Sequence, residues 1–188
     1  MEDLVLFEGE PLQLRYNKIY RAQILEPKDS KDARKISGGK NLVIARACEQ
    51  ETVRALFENK NIDMVIGLER YERGDSLHYR HSGLNQVLCA LAVKNNIIVG
   101  FDVSSMNNSR ILGRMMQNIA FCRKYKVRMA LASFARDKFE MKGASNMLSL
   151  VKVLGMTAAE AQRSMHYSDI LIAKGIKKPA KGVRVLED

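Results

Sequence analysis

The chain has 188 residues, with 31 Lys and Arg against 21 Asp and Glu, which gives a formal net charge of +10. This length is ample for one hydrophobic core and short for two, so we expect a single domain. No run of 18 apolar residues is present, and residues 1–11 lack the layout of a signal peptide. We therefore expect a cytoplasmic protein with no membrane contact, whose positive charge favours a nucleic acid as partner.

Residues 1–40 carry the weakest secondary-structure signal. The segments LVLF (4–7) and YRAQIL (20–25) are candidate strands. SKDARKISGGKN (30–41) is polar and basic and contains glycines, which predicts a loop or a weakly ordered segment. Contact between this loop and RNA, and simple exposure to solvent, both remain open interpretations.

From Asn41 the pattern becomes regular. We predict a strand at NLVIARA (41–47), a helix at ETVRALFEN (51–59) and a strand at IDMVIGL (62–68). A long charged loop follows at 69–83. A helical stripe then begins, formed by Leu84, Val87, Leu88 and Leu91.

Residues 97–134 contain the clearest unit of the chain. IIVGFDV (97–103) and RMALASF (128–134) are short apolar runs typical of buried strands. Between them lies one apolar helical stripe, made of Ile111, Leu112, Met115, Met116, Ile119 and Cys122. The opposite face is predicted to carry Arg110, Arg114, Gln117 and Lys124. Strand, helix and strand in this order predict a right-handed crossover between parallel strands.

A further helix is predicted by Met147, Leu148, Val151 and Leu154, with Gly155 at its end. Residues 157–160 (TAAE) have the capping-box pattern of a helix start. DILIA (169–173) fits a last strand or a docked helix end. We expect the domain to span residues 1–175 and the basic segment 176–188 to form a flexible tail.

Strands that alternate with helices predict an α/β fold with a parallel sheet, either open or closed into a barrel. Five to seven strands are expected, fewer than the eight of a complete barrel. The three cysteines, Cys48, Cys89 and Cys122, are widely spaced among apolar residues. We predict that they are reduced core residues rather than disulfides or metal ligands.

Functional groups of parallel β/α folds collect in the loops at the carboxyl ends of the strands. These loops are rich in groups that donate hydrogen bonds to phosphate and poor in catalytic sets. The candidate binding residues in them are Arg46, Arg80, His81, Arg110, Ser133, Arg136, Lys138 and Lys142.

Catalytic sites are less well supported by the sequence. The three histidines form neither an HxH nor an HExxH pattern, although His78, His81 and Asp75 leave a metal site open as an alternative. Neither a GxSxG motif nor a phosphate-binding P-loop is present. A metal-dependent hydrolase and a general nucleic-acid-binding module are the alternatives to a specific RNA-binding role.

Three blocks of the sequence resemble protein component 3 of archaeal ribonuclease P, a family related to the 30-kilodalton subunit of the eukaryotic enzyme. They are HSGLNQVLCALAVKNNIIVGF (81–101), RILGRMMQNIAFCRKYKV (110–127) and ASFARDKFEMKGASNMLSLVKVLGM (132–156), followed by AAEAQ. The resemblance implies a TIM-barrel-like fold without catalytic or metal-binding residues of its own. Because the segment before Asn41 is short for the family, an incomplete barrel with a shortened amino-terminal part stays open.

The resemblance also implies partners. The family binds the RNA of ribonuclease P, which uses Mg²⁺ to remove the 5′ leader of precursor tRNA, and the protein itself binds no cofactor. It pairs with protein component 2 in a two-plus-two heterotetramer, within a holoenzyme that contains other protein components. Positions that are usually basic in the family match, or lie beside, Arg54, Arg80, Arg114, Arg136 or Lys138, and Lys142. Tyr79 and His81 depart from the family's charged run at that point.

Overall fold

The computed structural model describes residues 1–38, 42–71, 74–77, 79–106 and 108–167. The described strands are β1 (Glu2–Val5), β2 (Lys18–Arg21), β3 (Ile24–Leu25), β4 (Ile44–Arg46), β5 (Met64–Ile66), β6 (Ile98–Asp102) and β7 (Met129–Ala132). The described helices are α1 (Ser30–Lys35), α2 (Gln50–Glu58), α3 (Gln86–Asn95), α4 (Ser109–Tyr125), α5 (Ala144–Val153) and α6 (Ala158–Ser164). The predicted strand at 169–173, the domain end at 175 and the tail 176–188 lie outside these residues.

All the described strand pairs are parallel. Strands β3 to β7 form one sheet in the order β3-β4-β5-β6-β7, and β1 pairs with β2 in a second. This confirms the parallel α/β architecture and the predicted order of β6, α4 and β7, with β6 and β7 parallel neighbours.

Backbone contacts join the two sheets into a ring. Only Ala22 and Gln23 separate β2 from β3, so one stretch of chain pairs first with β1 and then with β4. On the other side, the amide of Phe134 donates to the carbonyl of Leu4 (2.9 Å), and the amide of Leu6 donates to the carbonyl of Ala135 (2.8 Å). The described part of the chain therefore forms a TIM-barrel-like ring with six strand positions, fewer than the eight of a complete barrel.

Side chains alternate between the inside of this ring and the surrounding helices, as the period of two in β-strands requires. Ile44, Ile66 and Ile98 belong to the interior cluster, whereas Val65 and Val99 pack in the larger cluster with the helices. The interior is filled at Gly100, because a Cβ there would lie 2.6 Å from the Cγ2 of Ile66. The ring is thus a packed core rather than a channel.

Helix α4 shows both the strength and the limit of the apolar stripe. Met115, Ile119 and Cys122 are buried, and the side chain of Asn108 caps the helix by accepting from the amide of Ile111. Two assignments were wrong. Met116, which was placed on the buried stripe, is 46% exposed, and Arg114, which was placed on the opposite face, is 1% exposed. Both residues lie at the margins of the stripe, where a neighbouring loop rather than the spacing decides which one is covered.

The amino-terminal third differs most from the predictions. Both candidate strand segments are present, as β1 and as β2 with β3, but the loop predicted from residue 30 begins with helix α1. The side chain of Asp29 caps α1 by accepting from the amide of Asp32 (2.8 Å), and Ala33 is buried. The side-chain Nδ2 of Asn59, just after α2, donates to the carbonyl of Ala33 (2.9 Å). Contact with a neighbouring helix, rather than an apolar stripe of its own, holds this short helix.

Other local predictions are confirmed. Gly155 has a left-handed φ of 106° after α5, and Thr157 and Glu160 form both hydrogen bonds of the capping box at the start of α6. All three cysteines are free, and Cys89 and Cys122 are buried, but Cys48 is exposed just after β4, so its core assignment was wrong. No helix among the described residues is long and apolar enough to cross a membrane.

Candidate functional site

The carboxyl ends of β4, β5 and β6 surround a buried carboxylate. Asp102, the last residue of β6, is fully buried, and its Oδ2 lies 3.3 Å from Nη2 of Arg70 and 3.6 Å from Nη2 of Arg46. Arg46 also reaches Glu26, at 3.3 Å. Arg46 is thus 8% exposed and paired on both sides, which leaves little of its guanidinium exposed for the predicted phosphate contact.

Glu69 lies beside this network and is 1% exposed. Burial raises the pKa of its carboxyl to about 7, and the charge of Asp102 acts in the same direction. The hydroxyl of Ser105 donates to Glu69 (3.3 Å) and to the carbonyl of Asp102 (2.7 Å). A network of buried, paired polar groups therefore lies at this mouth of the ring.

Arg114 reaches from α4 beneath the loop that follows β5, at residues 67–85, which we call the anchored loop. Its guanidinium donates twice to Asp75, at 2.9 and 2.7 Å, and to the carbonyls of Glu69 and Tyr71. These bonds hold its guanidinium inside the protein and leave little of it exposed for the predicted contact with RNA. Its role is to fix the loop to the helix.

The anchored loop carries two other predicted residues, Arg80 and the half-buried His81. Arg80 is exposed, and its Nη1 donates to the carbonyl of Gly113 on α4 (3.1 Å). The amide of His81 donates to Asp75 (2.9 Å), and the imidazole packs edge-on against the ring of Tyr79, with centroids 4.7 Å apart. Asp75, held by Arg114, thus positions the backbone at His81.

A groove of about 270 Å³ lies between the amino-terminal ends of α2 and α3. Arg54 and His81 line it, together with Tyr71, Tyr79 and Val87. The structure therefore brings two of the predicted residues together, although Arg54 also pairs with Glu58 one helical turn later, at 2.7 Å.

The segment that follows β7, residues 133–143, begins with a buried contact. The amide and hydroxyl of Ser133 donate to the carboxylate of Asp3 at 2.8 and 2.7 Å. Burial raises the pKa of Asp3 to about 6, while the hydrogen bonds from Ser133 oppose that rise. Ser133 is 1% exposed, so it joins β7 to β1 and presents little surface for the predicted contact with RNA.

The rest of this segment, which we call the cationic turn (residues 136–142), exposes its charges. Arg136, Lys138 and Lys142 are all exposed. Asp137 shapes the turn by accepting from the amides of Phe139 (2.7 Å) and Glu140 (3.1 Å). Arg110, at the start of α4, is exposed as well. These four predicted cations, with Arg80, remain accessible to an anionic ligand.

Residues 21–178 match a sequence model described as RNase P subunit p30. The chain belongs to this family. Two curated relatives carry the name "Ribonuclease P protein component 3". The protein from Methanosarcina acetivorans is 28% identical over 163 residues, which cover 81% of this chain and 65% of the relative. The protein from Methanococcoides burtonii is 30% identical over 127 residues, which cover 64% and 49%. This p30-family chain therefore spans 65% of the first relative and 49% of the second, less than two thirds of each.

A solved structure has the same fold. One chain of a cryo-EM structure of archaeal ribonuclease P with mature tRNA superimposes with a TM-score of 0.68 at 16% identity, over 100% of this chain and 89% of that chain. The TIM-barrel-like architecture of the p30-family chain is thus shared with that protein.

Four cations that line one cavity of this fold were not named in the sequence analysis. Arg123, Lys126, Arg128 and Arg163 line a cavity of about 550 Å³ near the amino-terminal ends of β6 and β7. Arg123 is paired there with Glu160 (2.5 Å), and Arg128 donates to the carbonyl of Asn96 (3.1 Å). Lys126 and Arg128 follow α4 closely, a position typical of cations that offset a helix dipole, so their spacing gave no functional signal.

Among the described residues, no three His, Cys, Asp or Glu side chains lie together in a way that could hold a metal ion. Asp75 and His81, two of the three residues of the candidate metal site, are linked by a hydrogen bond from backbone to carboxylate. The third, His78, lies outside the described residues.

Proposed function

We propose that this chain is an RNA-binding subunit of ribonuclease P, which supports the removal of the 5′ leader from precursor tRNA by the catalytic RNA. The observation that carries the proposal is the p30 family match over residues 21–178. The net charge of +10 supports it, since binding to RNA phosphates requires an excess of cations.

The cationic turn is the part of the site best suited to this role. Arg136, Lys138 and Lys142 are exposed within seven residues on one hydrogen-bonded segment. Cations placed on crowded phosphates release condensed counterions and lower the Mg²⁺ concentration that the RNA needs to fold. The protein would thereby assist an RNA that itself uses Mg²⁺, without supplying a catalytic group.

The proposed partners are the ribonuclease P RNA, precursor tRNA within the holoenzyme, protein component 2 in a two-plus-two assembly, and other protein components. Membership of the family supports these partners, and the pairing with component 2 is part of the proposal. A cytoplasmic location is proposed with them, because it is where such an assembly would meet its substrate.

Reconstitution tests this function. The cognate RNA is assayed for cleavage of precursor tRNA at limiting Mg²⁺, with and without this protein and a component 2 partner. We expect a rate gain that requires both proteins and disappears without the RNA. Cleavage by the protein alone, together with a stoichiometric metal in chelator-free protein, would favour the hydrolase. Equal affinity for unrelated RNA and DNA at moderate salt would favour a general nucleic-acid-binding module.

A further inference from the structure

Phe139 stands at the tip of the cationic turn with 80% of its surface exposed. A phenylalanine left in water forgoes the free energy that its burial would provide. Its exposure is not the result of a loose segment, because Asp137 accepts hydrogen bonds from the amides of both Phe139 and Glu140. The carboxylate of Glu140 in turn accepts from the amide of Arg136 (2.7 Å). The turn therefore holds the ring outward.

The base of the turn is anchored in the core. Ala135 and Met141, on either side of it, are buried. The hydroxyl of Tyr16 donates to the carbonyl of Lys142 (2.6 Å), and the amide of Ala144 donates to the carbonyl of Leu14 (3.2 Å). Because both ends of the turn are held by these contacts, the Phe139 ring is preorganised for binding, which lowers the entropy lost when a ligand binds.

The neighbours of the ring define what it can bind. Apart from Phe139, all the residues from Arg136 to Glu140 are charged. Nζ of Lys138 lies 5.2 Å from the centroid of the Phe139 ring. The carboxylates of Asp137 and Glu140 are occupied by backbone amides of the turn, whereas Arg136 and Lys138 are exposed. A protein partner would need a wider apolar surface than one ring among charges. An aromatic ring between cations matches single-stranded RNA, whose bases stack while its phosphates pair.

We propose that Phe139 stacks on an unpaired base of RNA while Arg136 and Lys138 bind the adjoining phosphates. This inference rests on the proposed RNA-binding function and adds to it the kind of RNA recognised at this turn. The site reads single-stranded character rather than sequence, because every base offers a face for stacking.

The test compares Phe139→Ala, Phe139→Leu and Phe139→Trp in the full chain. The probes are a short single-stranded oligoadenylate that carries one 2-aminopurine, and a blunt-ended RNA duplex of the same length. Val153→Ala is the matched control, since Val153 is 78% exposed on α5. We expect Phe139→Ala and Phe139→Leu to lose roughly tenfold in affinity for the single strand and little for the duplex, while Phe139→Trp retains it. The change in 2-aminopurine fluorescence on binding should be absent in Phe139→Ala and Phe139→Leu, which lack the aromatic ring.

Two results would overturn the inference. One is equal binding of the single strand by Phe139→Ala and the wild type. The other is full retention by Phe139→Leu, which would show an apolar contact rather than stacking. If the wild-type protein itself binds neither RNA in a salt-dependent manner, the proposed function fails first. Salt-dependent binding by the wild type with no effect at Phe139 removes the stacking site alone.

Discussion

The anchored loop and the cationic turn are built alike and behave differently. Both follow a parallel strand at the same end of the ring. The anchored loop contacts Arg114 and the cationic turn contains Arg136, and both arginines were named as candidate binding residues in the sequence analysis. In the anchored loop, Arg114 is buried and its guanidinium is used by Asp75 and by backbone carbonyls. In the cationic turn, carboxylates bind backbone amides and leave Arg136 and Lys138 exposed. A charged side chain at a strand end is therefore available to a ligand only where the protein does not itself pair that charge.

The largest effect should come from Arg114→Ala. Removing the guanidinium leaves the carbonyls of Glu69 and Tyr71 and the carboxylate of Asp75 without these donors. We expect a loss of about 3 to 5 kcal/mol in the free energy of unfolding, measured with denaturant. Arg110→Ala, one turn earlier on α4 and exposed, is the control and should change stability by less than about 0.5 kcal/mol. A normal stability with weaker RNA binding would show that Arg114 contacts RNA after all.

The anchored loop should also give the protein a distinctive pH dependence. Because the pKa of Glu69 is raised from 4.5 to about 7, the folded state binds a proton more tightly than the unfolded state. This contribution to stability is complete below about pH 4.5 and is lost as the pH rises to about 7, and it amounts to about 3 kcal/mol.

Glu69→Gln isolates this contribution, since a glutamine side chain does not titrate. Free energies of unfolding at several pH values should fall more steeply between pH 4.5 and 7 for the wild type than for the variant. Asp3, with a pKa of about 6, adds the same sign of dependence between about pH 3.8 and 6 and remains in both proteins. Parallel curves would mean that Glu69 is not buried as the structure has it.

Gly83 provides a third test, confined to the backbone of the anchored loop. Its φ is +78°, and a Cβ would lie 2.2 Å from the carbonyl oxygen of Leu68. Gly83→Ala should cost about 2 kcal/mol or more, because both the conformation and the clash involve backbone. Gly74→Ala in the same loop meets no atom within 4 Å and serves as the control. Similar melting temperatures for the two variants would contradict this account.

The smallest effect on stability, and the clearest on binding, is expected from the cationic turn. Arg136→Glu and Lys138→Glu should each weaken RNA binding roughly tenfold and reduce the slope of log affinity against log salt by about one for each phosphate that is no longer bound. Stability should stay within about 0.5 kcal/mol, because both side chains are exposed. Lys152→Glu, an exposed position on α5, is the control. An equal loss of affinity in that variant would indicate a general charge effect.

Local patterns predicted the parts of the fold that local forces determine. The crossover from β6 through α4 to β7 follows from apolar periodicity, and the start of α6 from its capping box. Helix α1 was missed because its six residues have one buried side chain and depend on α2. The sequence did not decide whether the sheet closes into a ring, because closure depends on contacts between residues 3–6 and 133–135.

The candidate site was predictable in the same uneven way. Exposed cations in the cationic turn follow from its polar sequence. The burial of Arg46, Arg114 and Ser133 does not, since their partners Asp102, Asp75 and Asp3 are 39 to 130 residues away along the chain. Spacing within one helix or strand contains no information about such partners.

The contact between Asp3 and Ser133 also constrains how the chain can fold. During synthesis, β1 can meet β2 early, but the ring cannot close until the residues after β7 have left the ribosome, and the carboxylate of Glu2 accepts from the amide of Tyr167 later still. Such pairings between distant residues raise the contact order and slow folding. The nascent chain therefore keeps one edge of β1 without its β7-side partners until residues 133–135 have been made.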